Sequence, residues 1–195
     1  MEVLAIVPPI FMIPKIIIQH SPYLDEIYKA WIHSIPRYKD WVFPIETDVR
    51  EKARIFAETW DDIGEGILSQ VCEHVGLTFK RNHIPIYIVS SNTRTFSNPI
   101  VIRSGYSVDE FVELLVHELI HCLFVDNAES SFVKNIDKFD DHVVLYAVLE
   151  AVIPGTVVRK TDVLNFPVNE KYYRAKEYVK ENGYLGILVK CKEPI

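Results

Sequence analysis

Apolar residues recur at spacings of three and four through Val49, Ala53, Phe56, Trp60, Ile63, Ile67, Val71 and Val75, and Gly76 follows. That period predicts a long amphipathic helix over 48–76, with Asp48 and Glu51 as a capping-box-like start and Gly76 as a C-terminal cap. Two short runs rich in β-branched residues, 84–89 and 100–103, are separated by polar turn residues and predict strands paired as a hairpin or lying as neighbours. Pro99 fits only at an edge or at the start of the second strand. Ser107 and Glu110 then form a capping box ahead of a run over 108–124 that is apolar on nearly every side, the pattern of a buried helix. A second greasy helix is predicted over 141–153, with Asp140 or Asp141 as N-cap and Pro154-Gly155 as its stop.

The flanks are less regular. Residues 3–18 are apolar but broken by Pro8, Pro9, Pro14 and Lys15, without a basic start or a small-residue cleavage site. They read as a core strand plus a packed extended segment of a cytoplasmic protein, not as a signal peptide or a membrane span. Ser21-Pro22 starts a short helix reaching about Ser34. After Gly155 the chain turns strand-like over 156–159. A charged helix follows over 168–182 with a solvated face, stopped by Gly183, and 184–190 reads as a final strand. These elements predict an α+β fold in one domain: a small mixed sheet on a long backing helix, a core over 48–153, and 1–47 and 154–195 as flanking segments packed on it.

Composition narrows the function. The 195 residues carry a net charge of −6, with 49% apolar and 25% charged residues, as in a globular protein with a sizeable core. No basic, aromatic-interleaved patch points to nucleic acid. Cys72, Cys122 and Cys191 form no CxxC pair, and the first two fall among apolar helical neighbours, so buried thiols are expected.

Chemistry concentrates on two polar stripes. The helix over 108–124 carries Glu110, Glu113, His117, Glu118 and His121, and no Lys or Arg occurs between Gly105 and Val133. His117 and His121 stand at i and i+4, so both imidazoles can reach one metal ion, while Glu118 projects beside it. Acidic groups and imidazoles without a counter-cation imply that a divalent cation supplies the missing charge. The second helix has His142, Tyr146 and Glu150 at i, i+4 and i+8, again on one face.

The segment from Val116 to His121, an HExxH pattern, resembles the active-site helix of the zincin metallopeptidases, and the two strands before it strengthen the likeness. The resemblance implies zinc held by His117, His121 and a third ligand, with Glu118 as the general base acting on water. It also implies an edge strand that pairs with a peptide or protein substrate, for which Ile100, Val101 and Ile102 are the candidates. The metzincin extension is absent, because Phe124 and Asn127 occupy its glycine and third-histidine positions. The polar face of the second helix resembles the second metal-site helix of the gluzincins. His142 and Glu150 are both candidate third ligands, with Asp126 or Glu129 behind them. Tyr146 could reach a developing oxyanion if His142 binds.

The expected function is therefore a zinc metallopeptidase, with two rivals: a catalytically silent zinc-binding regulatory domain of the same fold, and a zinc hydrolase acting on something other than a peptide. The excess chain at the termini, by the same resemblance to some very small gluzincin-like proteins, implies that one terminus covers the cleft and holds the enzyme latent.

Overall fold

A computed structural model describes residues 11–92, 95–136, 139–158 and 170–193. The chain is α+β. Strand β1 (Lys15–His20) leads into α1 (Pro22–Ser34) and a 3-10 turn (Pro36–Tyr38), followed by the long helix α2 (Glu46–Val75). Strands β2 (His83–Val89), β3 (Phe96–Ser97) and β4 (Ile100–Arg103) follow, then helices α3 (Val108–Asp126), α4 (Ser131–Ile136), α5 (Asp141–Val152), α6 (Glu170–Asn182) and α7 (Tyr184–Lys192).

The sheet is mixed, in the order β1-β2-β4-β3. β1 and β4 both run parallel to β2, and β3 folds back antiparallel on β4. The strands over 84–89 and 100–103 are thus parallel neighbours, and the hairpin is made by Phe96–Ser97 with β4 through a turn containing the cis Asn98-Pro99 bond. All four residues of β4 are buried, the apolar run Ile100–Ile102 and then Arg103, as in a strand covered on both faces.

This topology corrects one expectation. β4 is hydrogen-bonded to β2 on one side and to β3 on the other, and Ile100, Val101 and Ile102 are all buried. Ile100 and Val101, paired on both sides, offer no free edge to a substrate backbone, and β3 is the edge strand on this side of the sheet.

The backing helix spans 30 residues and packs on β1, β2, α3 and α5. Its buried face is Val49, Ala53, Phe56, Trp60, Gly64, Leu68, Val71, Cys72 and Val75, close to the predicted stripe. Phe56 stacks on Phe111 of α3 with centroids 4.0 Å apart and planes within 4°. A Cβ at Gly64 would stand 2.3 Å from the Trp60 ring, so only glycine lets that indole lie along the helix. The start lies two residues earlier than expected, because Ile45 is the N-cap and Asp48 sits inside the first turn without forming a capping box. At the other end Gly76 adopts φ 70°, the left-handed cap glycine favours.

Other elements separate at the C-terminal flank. Residues 156–158 form a turn, not a strand. The expected final strand is the helix α7: Ile187, Leu188 and Cys191 are buried against α4 and α5, while Leu185 and Val189 face solvent. That is a helical spacing, which a short apolar run conceals when read by residue type alone. Residues 1–10 of the apolar N-terminus lie outside the described residues, and 15–18 belong to β1. No helix among the described residues is long and apolar enough to cross a membrane.

Candidate metal centre

Three helices converge on one cluster. The Ser107–Glu110 capping box forms in full and fixes the start of α3, which sets the phase that turns His117 and His121 toward α5. On α5, Asp140 is the N-cap and accepts from the His142 backbone N–H at 3.0 Å, so His142 is presented from the first turn. One ligand nitrogen from each of His117, His121 and His142 lies within 4.8 Å of the other two. Their ring centroids are 5.0, 5.7 and 5.3 Å apart in the pairs 117–121, 117–142 and 121–142.

The surroundings of His117 and His121 disfavour their charged forms. Burial, followed by the neighbouring histidines, holds His117 well below the ordinary imidazole range. The same causes lower His121 to about 4. A neutral imidazole offers a lone pair, and three imidazoles meeting with no ammonium or guanidinium between them among the described residues form a donor set suited to zinc. The residues therefore fit the ion on their own chemistry.

His142 is oriented from outside the cluster. Its Nδ1 lies 2.8 Å from Asp141 Oδ1, and the same oxygen accepts from Lys171 Nζ at 2.7 Å. Lys171 and its neighbour Tyr172 come from α6. The Tyr172 ring lies 4.5 Å from that of His142 and 6.1 Å from that of His117.

Glu118 sits beside the histidines, 7% exposed. Burial pushes its carboxyl up to about 7, against the opposing pull of a hydrogen bond with the Ser97 side chain. Ser97 is in the edge strand β3, and its carbonyl accepts from Cys122 Sγ at 3.4 Å, which ties β3 to α3. A buried carboxyl poised near neutrality is suited to proton transfer.

The other candidates separate cleanly. Glu150 does not join the histidines: its two oxygens accept the backbone N–H groups of Gly155 and Val157 at 2.9 and 3.0 Å, fixing the turn after α5. Eight residues along a helix that must leave its face to make a turn carry the side chain away from the first position. Asp126 is held by the Arg81 guanidinium at 2.6 Å, and Glu129 pairs with Lys134. Tyr146 does lie beside the cluster, its ring 5.7 Å from that of His117, with the hydroxyl kept protonated by burial. Lys176 of α6 places its ammonium 5.0 Å from the centre of that ring.

Sequence reasoning passed over Asp141 as a partner of His142, Ser97 as a partner of Glu118, and Lys171, Tyr172 and Lys176 altogether. The acidic stripe without a counter-cation was the one available signal. Part of the missing charge is Lys176, whose Nζ lies 3.6 Å from Glu113 Oε1.

No protein-family model, no curated protein and no solved structure matches the chain.

Proposed function

We propose that this protein is a zinc-dependent hydrolase of the metallopeptidase type, with His117, His121 and His142 as the zinc ligands and Glu118 as the general base. The observation that carries the reading is the meeting of three imidazoles, with ligand atoms within 4.8 Å of one another, beside a buried carboxyl poised at about 7. Zinc held by three imidazoles supplies Lewis acidity toward a carbonyl and makes water acidic near neutral pH.

The protein's own residues supply the rest. Glu118 takes the proton of the attacking water and passes it to the leaving amine, a shuttle that needs a group titrating near the working pH. Ser97 holds that carboxyl in place and, being on the edge strand, links its position to the side of the sheet along which an extended peptide can lie. Low exposure of His117, Glu118 and His142 limits competing water.

The test is the Glu118→Gln variant, assayed for peptide hydrolysis and for zinc content. Turnover should fall by about 10²–10⁴-fold while one zinc per chain is retained. Normal turnover in that variant would overturn the role of Glu118. Retained zinc in a wild-type protein that cleaves no peptide would favour the silent regulatory domain.

A further inference from the structure

Two consecutive residues of helix α6 address the same histidine of the candidate centre. Tyr172 lays its ring against His142, and Lys171 grips the carboxylate that His142 itself touches. Asp141 Oδ1 is the shared atom: it accepts from His142 Nδ1 at 2.8 Å, from the His142 backbone N–H at 2.9 Å and from Lys171 Nζ at 2.7 Å.

A carboxylate can only accept, so the imidazole nitrogen facing it must carry the proton. The lone pair then falls on Nε2, and the ring plane is set by the line from Asp141. Carboxylate partners of this kind orient ligand histidines and raise their basicity. Neither His117 nor His121 has such a carboxylate hydrogen bond among those described for them.

We propose that Asp141, clamped by Lys171, is the positioning residue that makes His142 a metal ligand through Nε2, so that α6 is a working part of the centre. This rests on the three-histidine reading. It also reverses the expectation that the C-terminal flank merely covers the cleft, since trimming α6 would then weaken the metal site instead of releasing it.

Side-chain exposure makes the test clean. Asp141 and Lys171 are 51% and 44% exposed, so replacing either leaves the core intact. The helix start also survives loss of Asp141, because Asp140 Oδ1 accepts from the His142 N–H as well.

The full-length chain, stripped with chelator, is titrated with Zn²⁺ and with Co²⁺, and the visible Co²⁺ spectrum is recorded for wild type, Asp141→Ala, Asp141→Asn, Lys171→Met and His142→Ala. Asp141→Ala should weaken metal affinity about 10–100-fold and shift the Co²⁺ bands toward those of His142→Ala. Asp141→Asn, which keeps an acceptor oxygen, should recover much of the loss. Lys171→Met should lose affinity by a few-fold. Wild type that binds neither ion overturns the three-histidine centre itself. Wild-type binding with an unchanged Asp141→Ala affinity and spectrum leaves that centre standing and overturns the positioning role. A Lys171→Met protein identical to wild type, beside a weakened Asp141→Ala, removes α6 from the account.

Discussion

Lys176 Nζ lies 3.6 Å from Glu113 Oε1, with both side chains under 10% exposed. Glu113 stands one helical turn before His117, on the stripe that also carries His121. The lysine enters from α6, donates to the Thr156 carbonyl at 3.1 Å and rests on the face of Tyr146. One ammonium thus ties together α3, α5, α6 and the turn at 156. Removing one partner of a buried pair leaves an uncompensated charge, so Lys176→Met should destabilise the protein by roughly 3–5 kcal/mol in a denaturant titration. Adding Glu113→Leu should restore much of that, because replacing the whole pair by apolar groups is often close to neutral. A double variant as unstable as the single one would mean that the lysine acts through packing alone.

The carboxyl of Glu118 gives a pH signature in the metal-free protein. Its folded pKa is raised by burial from 4.5 to about 7, so folding favours the protonated acid. The favourable contribution is whole below pH 4.5 and is lost as the pH rises through 7. His121 runs the other way: lowered to about 4, it supports the fold above its ordinary 6.5 and loses that support as the pH falls. Comparing wild type with Glu118→Gln cancels the histidine contribution. The variant should match wild type near pH 4 and exceed it by on the order of 3 kcal/mol at pH 8, in chelator. Equal stability at both pH values would mean that the carboxyl is better solvated than its burial implies.

Glu150 separates structure from ligation. Its carboxylate serves two backbone N–H groups in the turn after α5. Glu150→Ala should therefore lower the melting temperature, with a cost of about 2–3 kcal/mol for the lost charge-assisted hydrogen bonds, and leave zinc affinity unchanged. Loss of zinc with unaltered stability would return Glu150 to the ligand set.

Much of this was legible in the chain because local rules and tertiary packing agree there. The stripe from Val49 to Val75, the Ser107–Glu110 capping box and the Asp140 cap each combine a period with an end signal, and each became the expected helix. The i, i+4 spacing of His117 and His121 depends only on the helix, so their pairing could be read before any packing was known. The rest depended on distant chain. A short apolar run such as 184–190 has no intrinsic choice between strand and helix, and the surfaces of α4 and α5 decided it. Edge and interior strands differ by sheet order, which two residues of β3 control. Lys171, Tyr172 and Lys176 meet the site from 29 to 63 residues away along the chain, counting from His142 to Lys171 and from Glu113 to Lys176. The excess acidity of α3 hinted that a cation was needed; it could not say that one of them would be a lysine.

The most direct test of the central claim is diffraction at the zinc absorption edge on crystals of protein purified without added metal. The account predicts an anomalous peak about 2.0–2.1 Å from one nitrogen of each of His117, His121 and His142, with Glu150 still bound to its turn. An ordered set of three imidazoles that shows no peak even after soaking in zinc would contradict it.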